Sequence, residues 1–585
     1  MANRDLRDWI EGVRAAGELK VITGAEPKEE IGGIVDIYMR KMGNPAVLFD
    51  EVPGFPKGHR VIANILTSIA RVNLALGLPP ETAEMEQIQW WRNYFKRAPS
   101  QPTKAVNGGP LLDNVLAGND VNIEKIPTPV WHEHDGGPYI GTGCLVAMKD
   151  PDSGWINYGT YRVQSHAPNV ASVMMSPGKH GLIIMRKYHE RGQPCPVAVV
   201  AGMHPVLMML GGVEVPYGKS ELEAAGGILG EPIEIINMPK TGLPVPANSE
   251  IAFEGLIHPD DRIKEGPLGE WTGYYASGSD LEPAIRIETL MYRNDPILVG
   301  AIPGVPPNDN TFYFGSYRCG AVWNQLEAAG IPGVQGVWTH EAGGSRFMLV
   351  VSIKTLYGGH SKQAGMVASH CHAGAYNNRW TIVVDDDIDP TNFNDVIWAM
   401  CTRCDPRDQI DIIHGGWSSA LDPMCYDTEH DRRNSRVVID ACIPFRRKKT
   451  FPVIARSSKA LDDRLRTKWA KDLPKRFQNS AWVGIHASTN RKLADLGITQ
   501  ADSQASQLTD QLSYEINGCL IGQPAFRIKL CLGVCYVDMR RIHRNHIQRH
   551  TDVTEVKLPA RSAEWTHRCT EHCARFAVCW WIRRP

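Results

Sequence analysis

The chain has 585 residues, 43% of them hydrophobic and 22% charged, and its 63 lysines and arginines nearly balance its 64 aspartates and glutamates. This length and composition suit two to four domains with buried cores, and the near-neutral charge gives no general attraction to nucleic acid or to an acidic membrane. The 54 glycines and 40 prolines favour many turns between strands and disfavour an all-helical bundle.

The amino-terminal segment predicts an α/β domain over residues 1–115. Apolar residues recur at helical spacing between Leu6 and Val13, and Gly17 stands where it would end that helix. The polar, proline-containing stretch 97–110 is typical of a linker. The other predicted elements of this domain are strands at 19–22, 46–49 and 60–65 and a helix at 81–95.

Residues 116–315 show a different pattern, with short runs of alternating polarity separated by glycine and proline. Many short strands with such turns indicate an antiparallel β-barrel or sandwich. The predicted strands cover residues 139–148, 154–163, 181–185, 196–201, 233–238, 285–292 and 297–301.

Helices and strands alternate again over residues 316–474, which predicts a second α/β domain. Residues 475–585 then form an atypical basic tail rich in cysteine and histidine, and their spacing fits no standard zinc finger. We interpret this tail as an accidental or poorly ordered extension, with a shifted reading frame near Lys475 as one explanation.

No segment predicts export or membrane insertion. The amino terminus lacks the apolar core of a signal peptide, and His204 and Pro205 interrupt the most apolar stretch, residues 196–215. The fourteen cysteines are scattered as in reduced cytosolic proteins, so we expect a cytoplasmic protein with no membrane or nucleic-acid partner. Cys401 and Cys404 lie on a predicted helix without a second pair to complete a zinc site, and we interpret them as structural.

The usual signatures of phosphate-binding loops, dinucleotide-binding folds, serine hydrolases and zincins are absent from the sequence. The cluster His132-Glu-His-Asp135 contains residues that can bind metal, but it lies between proline-rich and glycine-rich turns. A solvated loop is therefore the preferred interpretation of this cluster.

One strand carries polar residues where burial is expected. In residues 154–164 a strand suited to a barrel contains Asn157 and Arg162. Alternation would put these residues on opposite faces unless a bulge at Gly159 resets the phase. Taken alone, the pattern also fits an ordinary barrel strand with one ion-paired arginine.

A second stretch, residues 262–271, brings two carboxylates near one another. Its glycines and Pro267 force a turn that can carry Glu265 and Glu270 to one point, as paired acid and base groups require. The repulsion between them would favour a proton on one, unless a cation such as Arg162 lies between them. A charged surface loop is the alternative.

Together, these stretches and their spacing resemble the UbiD family of prenylated-flavin-dependent (de)carboxylases. Its Asn-x-x-x-x-Arg strand matches Asn157 to Arg162, and its Glu-Gly-Pro-[Leu/Phe]-Gly-Glu loop matches Glu265 to Glu270. The resemblance covers residues 4–474 and implies an α/β multidomain fold. In that fold an N-terminal α/β domain is followed by a central flavin-reductase-like split β-barrel and a C-terminal α/β domain.

The resemblance also implies a cofactor site. Asn157, His180 and Glu221 match the family's metal ligands, and their mixed donors suit Mn²⁺ or a similar divalent ion that also binds phosphate oxygens. K⁺ is implied near Trp155 and the turn 210–213, and His372 is the loose match for a basic residue at the phosphate. The implied cofactor-binding residues are Asn157, Gly159, Thr160, Tyr161, Arg162, Lys179, His180 and Glu221.

The implied activity is reversible, non-oxidative decarboxylation of an aromatic (phenolic, heteroaromatic or aryl-CoA) or α,β-unsaturated carboxylic acid. Loss of CO₂ from an sp² carbon needs an electron sink that side chains do not provide, and the family uses prenylated FMN. The resemblance makes Arg162 the contact to flavin and substrate carboxylate, Glu270 the proton donor and Glu265 the residue that holds Arg162. It also implies a flavin prenyltransferase as cofactor supplier and a homo-oligomer, either a dimer or a hexamer.

Two other classes of function stay open at this point. An FMN-dependent oxidoreductase on the same barrel would need an electron-donor site, and a metal-binding or nucleic-acid-binding module would depend on the tail. The substrate is also open, because pocket residues depend on the fold. Candidates for its lining are Asn308 to Tyr313, His340 and His414 to Trp417.

Overall fold

The computed structural model describes residues 4–40, 44–213, 215–425, 431–455, 457 and 459–472, and the backbone of two short strands in the tail. The chain divides into two compact units, Met1–Gly484 and Ile485–Pro585. In the second unit, Lys529–Cys531 and Val534–Tyr536 form an antiparallel pair. The interpretation of residues 475–585 as an accidental extension lies mostly outside the described residues and stays a prediction.

Twenty-one strands and twelve α-helices of the first unit are described. The strands are β1 Leu19–Thr23, β2 Ala46–Asp50, β3 Arg60–Ala63, β4 Lys104–Ala105, β5 Asn114–Ala117, β6 Tyr139–Gly141, β7 Cys144–Lys149, β8 Ile156–Gly159, β9 Arg162–Ala167, β10 Val170–Met174, β11 Cys195–Ala201, β12 Glu234–Asn237, β13 Pro244–Pro246, β14 Ile251–Glu265, β15 Asp280–Tyr292, β16 Ile297–Gly300, β17 Val334–Thr339, β18 Met348–Ile353, β19 Trp380–Asp385, β20 Ile410–Trp417 and β21 Arg433–Ala441. The helices are α1 Leu6–Ala15, α2 Glu30–Met39, α3 Ile69–Ala75, α4 Glu84–Arg97, α5 His180–His189, α6 Pro205–Gly212, α7 Glu221–Leu229, α8 Thr311–Ala328, α9 His360–His370, α10 His372–Ala375, α11 Phe393–Arg403 and α12 Lys459–Lys468.

The first sheet takes strands from two distant parts of the chain. Its order is β1-β2-β3-β16, and β16 pairs in parallel with β3. Helix α1 packs its apolar stripe into the core, and Asp5 caps it by accepting a hydrogen bond from the Asp8 amide at 2.9 Å. In the sequence, the central part of the chain therefore lies between β3 and β16, two strands that pair with each other in the first sheet.

The central sheet has nine strands. The main order is β6-β9-β10-β15-β14-β11-β7-β8, every described pairing is antiparallel, and β5 adds to β15. The long hairpin of β14 and β15 forms its middle, and alternating apolar residues such as Val146, Val163 and Phe253 are buried on its inner side. A separate three-stranded sheet has the order β13-β12-β4. In the sequence, β4 precedes β5, and β12 and β13 lie between β11 and β14.

Two short connections show that the central sheet is curled. Strands β6 and β7 stand near opposite ends of the strand order, yet only residues 142–143 connect them. Strands β8 and β9 are likewise joined by residues 160–161 alone. A link of this length spans roughly 11 Å, so the two edges of the sheet must lie side by side. The sheet is a half-closed barrel, which confirms the predicted fold class of an α/β multidomain protein with a central split barrel.

The third sheet has the order β17-β18-β19-β21-β20, with parallel pairing among β18, β19 and β21. Helix α8 packs against helix α4 of the first segment, where Trp91 donates a hydrogen bond to Ser316 at 3.1 Å. The guanidinium of Arg92 lies 4.2 Å from the ring centre of Trp323. None of the described helices is both long and apolar enough to cross a bilayer.

Two local predictions were wrong. Residues 181–185, predicted as a strand, belong to helix α5, in which Gly181, Ile184 and Met185 are buried at helical spacing. A short continuous apolar run does not distinguish the two states, so the tertiary contacts decide. The predicted linker 97–110 contains β4, which pairs with β12.

Asp385, at the end of β19, is a structural centre of the third sheet. Its buried carboxylate accepts hydrogen bonds from Thr355 at 2.9 Å, from the Ile443 amide at 2.6 Å and from Arg403 at 3.2 Å. Lys448 lies 3.5 Å away. These contacts tie together segments that are far apart in the sequence.

We expect Asp385→Asn to lower stability while leaving the activity of the folded enzyme unchanged. An amide keeps one acceptor oxygen but loses the charge that Arg403 faces in a buried environment, so the free energy of unfolding should fall by about 3 kcal/mol. Chemical denaturation measures this loss, with Asp386→Asn at the exposed neighbouring position as the control. Equal unfolding free energies for the two variants would contradict the structural role.

Candidate active site

Arg162 lies between two glutamates in the split of the barrel. Its Nη2 donates to Oε2 of Glu265 at 2.7 Å, and its Nη1 donates to Oε1 of Glu270 at 2.6 Å. The side chains are 11%, 0% and 10% exposed for Arg162, Glu265 and Glu270 respectively. One cation therefore faces two carboxyl groups that are shielded from solvent.

The fold positions these three residues from two strand ends. Arg162 begins β9, Glu265 ends β14, and Glu270 follows in the loop that leads to β15. Gly266 starts the loop with φ of 82°, and its amide donates to Oε1 of Gln164 at 3.0 Å. A side chain at Gly266 would come within 2.6 Å of the Gly278 carbonyl oxygen, so only glycine fits there.

Burial and charge set the protonation of the group. Burial raises the pKa of Glu270, although the charge of Arg162 and a hydrogen bond from Ser277 oppose the rise. Burial by itself would lower the pKa of Arg162, but its hydrogen bond to Glu265 and the two glutamate charges outweigh this and raise it. Arg162 therefore stays charged, and the pKa of Glu270 lies above the ordinary value of a glutamate.

Tyr139, on β6, completes the contacts of Glu265. Its hydroxyl donates to Oε1 of Glu265 at 2.8 Å, while Arg162 occupies Oε2. Both oxygens of Glu265 thus have fixed partners. Nothing in the local sequence indicated Tyr139, because it lies 126 residues before its partner.

The segment His132 to Asp135 is a turn in which Glu133 and His134 are exposed, but Asp135 departs from the expectation of a solvated loop. The carboxylate of Asp135 is fully buried and accepts from the Gly269 amide at 3.0 Å and from the His132 amide at 2.9 Å. The Gly136 amide donates to the Pro267 carbonyl at 2.7 Å. This segment therefore holds the glutamate-bearing loop against the barrel. Within the described ranges, no group of three or more His, Cys, Asp or Glu residues is arranged to bind a metal.

The structure also corrects the expectation of one bulged strand from Asn157 to Arg162. Strand β8 ends at Gly159 and β9 starts at Arg162, on opposite edges of the curled sheet. Between them, the Thr160 amide donates to the Gly211 carbonyl at 3.0 Å. This short link brings the Asn157 region and Arg162 to the same opening of the barrel.

Asn157 and Glu221 are in contact at this opening. Nδ2 of Asn157 donates to Oε1 of Glu221 at 3.2 Å, and the Tyr158 amide lies 3.3 Å from Oε2. The Tyr161 hydroxyl donates to Oδ1 of Asn157 at 3.0 Å and accepts from the Gly181 amide at 3.0 Å. Tyr161 thereby connects the pair to the start of α5.

His180 is the first residue of that helix, and Lys179 is its N-cap. The ring of His180 lies 5.2 Å from the ring of Trp155 and 5.5 Å from that of Tyr217, centre to centre. These aromatic neighbours limit the orientations open to the imidazole. The Tyr161 hydroxyl therefore contacts the Asn157 amide that Glu221 accepts from and the helix residue that follows His180.

This donor set fits a divalent cation. Glu221 is 3% exposed, and burial raises its pKa to about 7. No lysine or arginine of the described chain forms an ion pair with it, so its charge has no counter-ion among these residues. A bound cation would supply one, and Asn157 and His180 would add an oxygen and a nitrogen ligand. The residues present therefore fit the implied metal.

The predicted pocket residues have mixed outcomes. Asn308 donates to the carbonyl oxygens of Trp271 and Gly304 at 3.1 and 2.9 Å, so it supports the residue that follows Glu270. His340 instead uses Nδ1 to accept from the Ala342 amide at 3.1 Å. His414 contacts Ser435 at 3.1 Å on an edge strand, and His372 lies 6.3 Å from Trp417, ring to ring.

Comparison with known proteins shows the family of the chain. Models of the N-terminal, Rift-related and C-terminal domains of 3-octaprenyl-4-hydroxybenzoate carboxy-lyase (UbiD) match residues 10–89, 104–306 and 313–441. A phenolic acid decarboxylase of Streptomyces sp. (strain D7) is 33% identical over 455 residues, which cover 76% of this chain and 93% of the relative. The chain belongs to the UbiD family.

A second curated relative and a solved structure agree with this family. A pyrrole-2-carboxylic acid decarboxylase of Pseudomonas aeruginosa is 30% identical over 418 residues, covering 69% of this chain and 83% of the relative. The UbiD-class enzyme HmfF from Pelotomaculum thermopropionicum, solved in complex with FMN, is 26% identical with a TM-score of 0.69, covering 78% of this chain and 98% of that one. The protein is thus a UbiD-family carboxy-lyase, as the sequence motifs predict.

Proposed function

We propose that this UbiD-family enzyme decarboxylates an aromatic acid without net oxidation, using prenylated FMN. The observation that carries the proposal is the guanidinium of Arg162 between the two shielded glutamates, at 2.7 and 2.6 Å. A permanent cation beside a carboxyl that can hold a proton suits a reaction in which a carboxylate leaves and a proton takes its place. The decarboxylases to which the chain is similar make phenolic and heteroaromatic acids the first substrates to test.

Each residue of the group has one role in this proposal. Arg162 binds the substrate carboxylate through its planar, bidentate fork. The carbon–carboxylate bond breaks to release CO₂, and the ring carbon that keeps the electron pair takes the proton of Glu270. Glu265, fixed by Tyr139, holds Arg162 in position. In the reverse reaction, carbon dioxide replaces the proton on the ring carbon. Neither direction needs an oxidant.

The cofactor site is proposed at the same opening of the barrel. Prenylated FMN, when bound, would supply the electron sink that side chains lack. Asn157, His180 and Glu221 would hold Mn²⁺ or a similar ion at its phosphate. K⁺ would lie near Trp155 and residues 210–213, and Gly159, Thr160, Tyr161 and Lys179 are further proposed contacts.

A flavin prenyltransferase is the proposed supplier of the cofactor, and a dimer or hexamer the proposed assembly. The proposed domain limits are 1–115, 116–315 and 316–474.

The alternative function, an FMN-dependent oxidoreductase on the same barrel, gains no specific support from the contacts of the described residues.

A decarboxylation assay tests the function. The protein is expressed together with a flavin prenyltransferase, supplied with Mn²⁺ and incubated with phenolic, pyrrole-2-carboxylic and cinnamic-type acids, and CO₂ and the product are measured. Release of CO₂ in step with the decarboxylated product is the expected result. Oxidation of NADH or NADPH by FMN-loaded protein, with no CO₂ from any acid, would instead favour the oxidoreductase.

Arg162→Lys should lower kcat/KM by about 100-fold or more in this assay. Lysine keeps the charge but has no planar fork that can face Glu265, Glu270 and a carboxylate together. Arg262→Lys, at an exposed position of β14, is the matched control and should act like the parent. Parent-like turnover in Arg162→Lys would contradict the proposed binding of the substrate carboxylate.

A further inference from the structure

Ser277 contacts both partners of the Arg162–Glu270 pair. It lies in the loop between β14 and β15, half-buried, seven residues after Glu270. Its Oγ is 2.9 Å from Nη1 of Arg162 and 2.8 Å from Oε1 of Glu270. The three atoms form a closed hydrogen-bonded triangle, because Nη1 also reaches Oε1 at 2.6 Å.

The direction of these hydrogen bonds follows from the donors available. A guanidinium can only donate, so Ser277 must accept from Arg162. The hydroxyl has one proton, and the geometry leaves Oε1 of Glu270 as its acceptor. Oε1 therefore accepts two hydrogen bonds, from Arg162 and from Ser277. Within the described part of the chain, nothing donates to Oε2.

This asymmetry separates the two oxygens of Glu270. When Glu270 is neutral, a proton on Oε1 would face two donors and displace at least one of their hydrogen bonds. A proton on Oε2 leaves both bonds intact, which makes it the favoured site. We propose that Ser277 is a positioning residue that fixes the transferable proton of Glu270 on Oε2. The proposal rests on the proton-donor role given to Glu270 above.

Other groups around Glu270 set its protonation together with Ser277. Arg162 on β9 favours the ionised form, and Glu265 at the end of β14 opposes it. Tyr139 on β6 and Glu282 on β15 face Glu265 and Arg162 rather than Glu270 itself. Ser277 lowers the pKa of Glu270 through its hydrogen bond, so removal of the hydroxyl raises this pKa further.

The direction in which Ser277→Ala shifts the pH profile depends on which protonation form of Glu270 is active. The proton donor is neutral Glu270, so decarboxylation is lost as the pH rises through its pKa. In Ser277→Ala this alkaline limb of kcat should move to higher pH. The ratio of variant to parent kcat should therefore rise about tenfold from the acid to the alkaline end of the profile.

The test compares Ser277→Ala, Ser277→Thr and Ser279→Ala in the cofactor-loaded enzyme. Ser277→Thr keeps a hydroxyl and should restore the parent profile. Ser279 is exposed in the same loop and should have no effect when changed. Ser277→Ala should also show a larger solvent deuterium effect on kcat at unchanged KM, because proton transfer becomes slower. A uniform loss of rate at every pH, with no displaced limb, would overturn the proposal.

An infrared titration gives a second readout that needs no substrate. The C=O band of the protonated carboxyl, isolated by subtraction of Glu270→Gln protein, should persist to higher pH in Ser277→Ala. An unmoved band would also overturn the role of Ser277, even if activity fell. If Glu270→Gln kept the parent rate, the proton-donor role would fail instead, so the two failures are distinguishable.

Discussion

Glu270→Gln protein should bind metal and flavin as the parent does and lose decarboxylation by a factor of about 10³. The amide keeps an oxygen for the hydrogen bonds from Arg162 and Ser277, so the local structure should survive. Its nitrogen replaces the oxygen that we propose carries the proton, and an amide cannot release a proton to carbon at these pH values. Metal content, flavin absorbance and CO₂ release are measured on the same preparation.

Glu282→Gln is the matched control for this experiment. Glu282 is a half-buried carboxyl on β15 that faces Glu265 and Arg162, and burial raises its pKa to about 7. It forms no hydrogen bond with Arg162 in the described structure, so its amide should leave most of the activity. If Glu270→Gln turned over as fast as the parent, another acid would have to supply the proton, with Glu265 the next to test.

Glu221→Ala should yield folded protein with little bound metal or flavin. The substitution removes the carboxylate of the proposed ligand set, and the expected loss of metal affinity is about 100-fold or more, since even indirect partners of a metal are worth 10- to 100-fold. Metal analysis and flavin absorbance after dialysis measure this without any substrate. His180→Ala should behave in the same way, because it removes the imidazole.

Glu223→Ala separates loss of the site from loss of the helix. Glu223 lies in the first turn of the same helix α7, where its carboxylate accepts a hydrogen bond from the Ser100 hydroxyl at 3.4 Å. Both variants should unfold at similar temperatures, and only Glu221→Ala should lose metal. Normal metal and flavin content in Glu221→Ala and His180→Ala would contradict the ligand assignment.

The elements with strong local signals could be predicted from the sequence. The apolar stripe from Leu6 to Val13 forms α1, and the apolar run at 380–384 lies in β19, because these patterns depend on neighbouring residues alone. The five-residue spacing of Glu265 and Glu270 around a glycine-proline turn likewise predicted their approach. The apolar run at 181–185 misled, because its length suits either state.

The sequence by itself determined the order of the α/β, barrel and α/β segments and the charged residues of the site. The tertiary structure decided which of those residues meet. Glu265 contacts Arg162, which is 103 residues away in the sequence, and Tyr139, which is 126 residues away. The loop that follows Glu265 is held by Asp135, which is 134 residues away from its partner Gly269. Such contacts leave no periodicity in the sequence, because they depend on the curl that brings β8 and β9 together. The position of Ser277 between Arg162 and Glu270 is of the same kind, since only the closed barrel defines it.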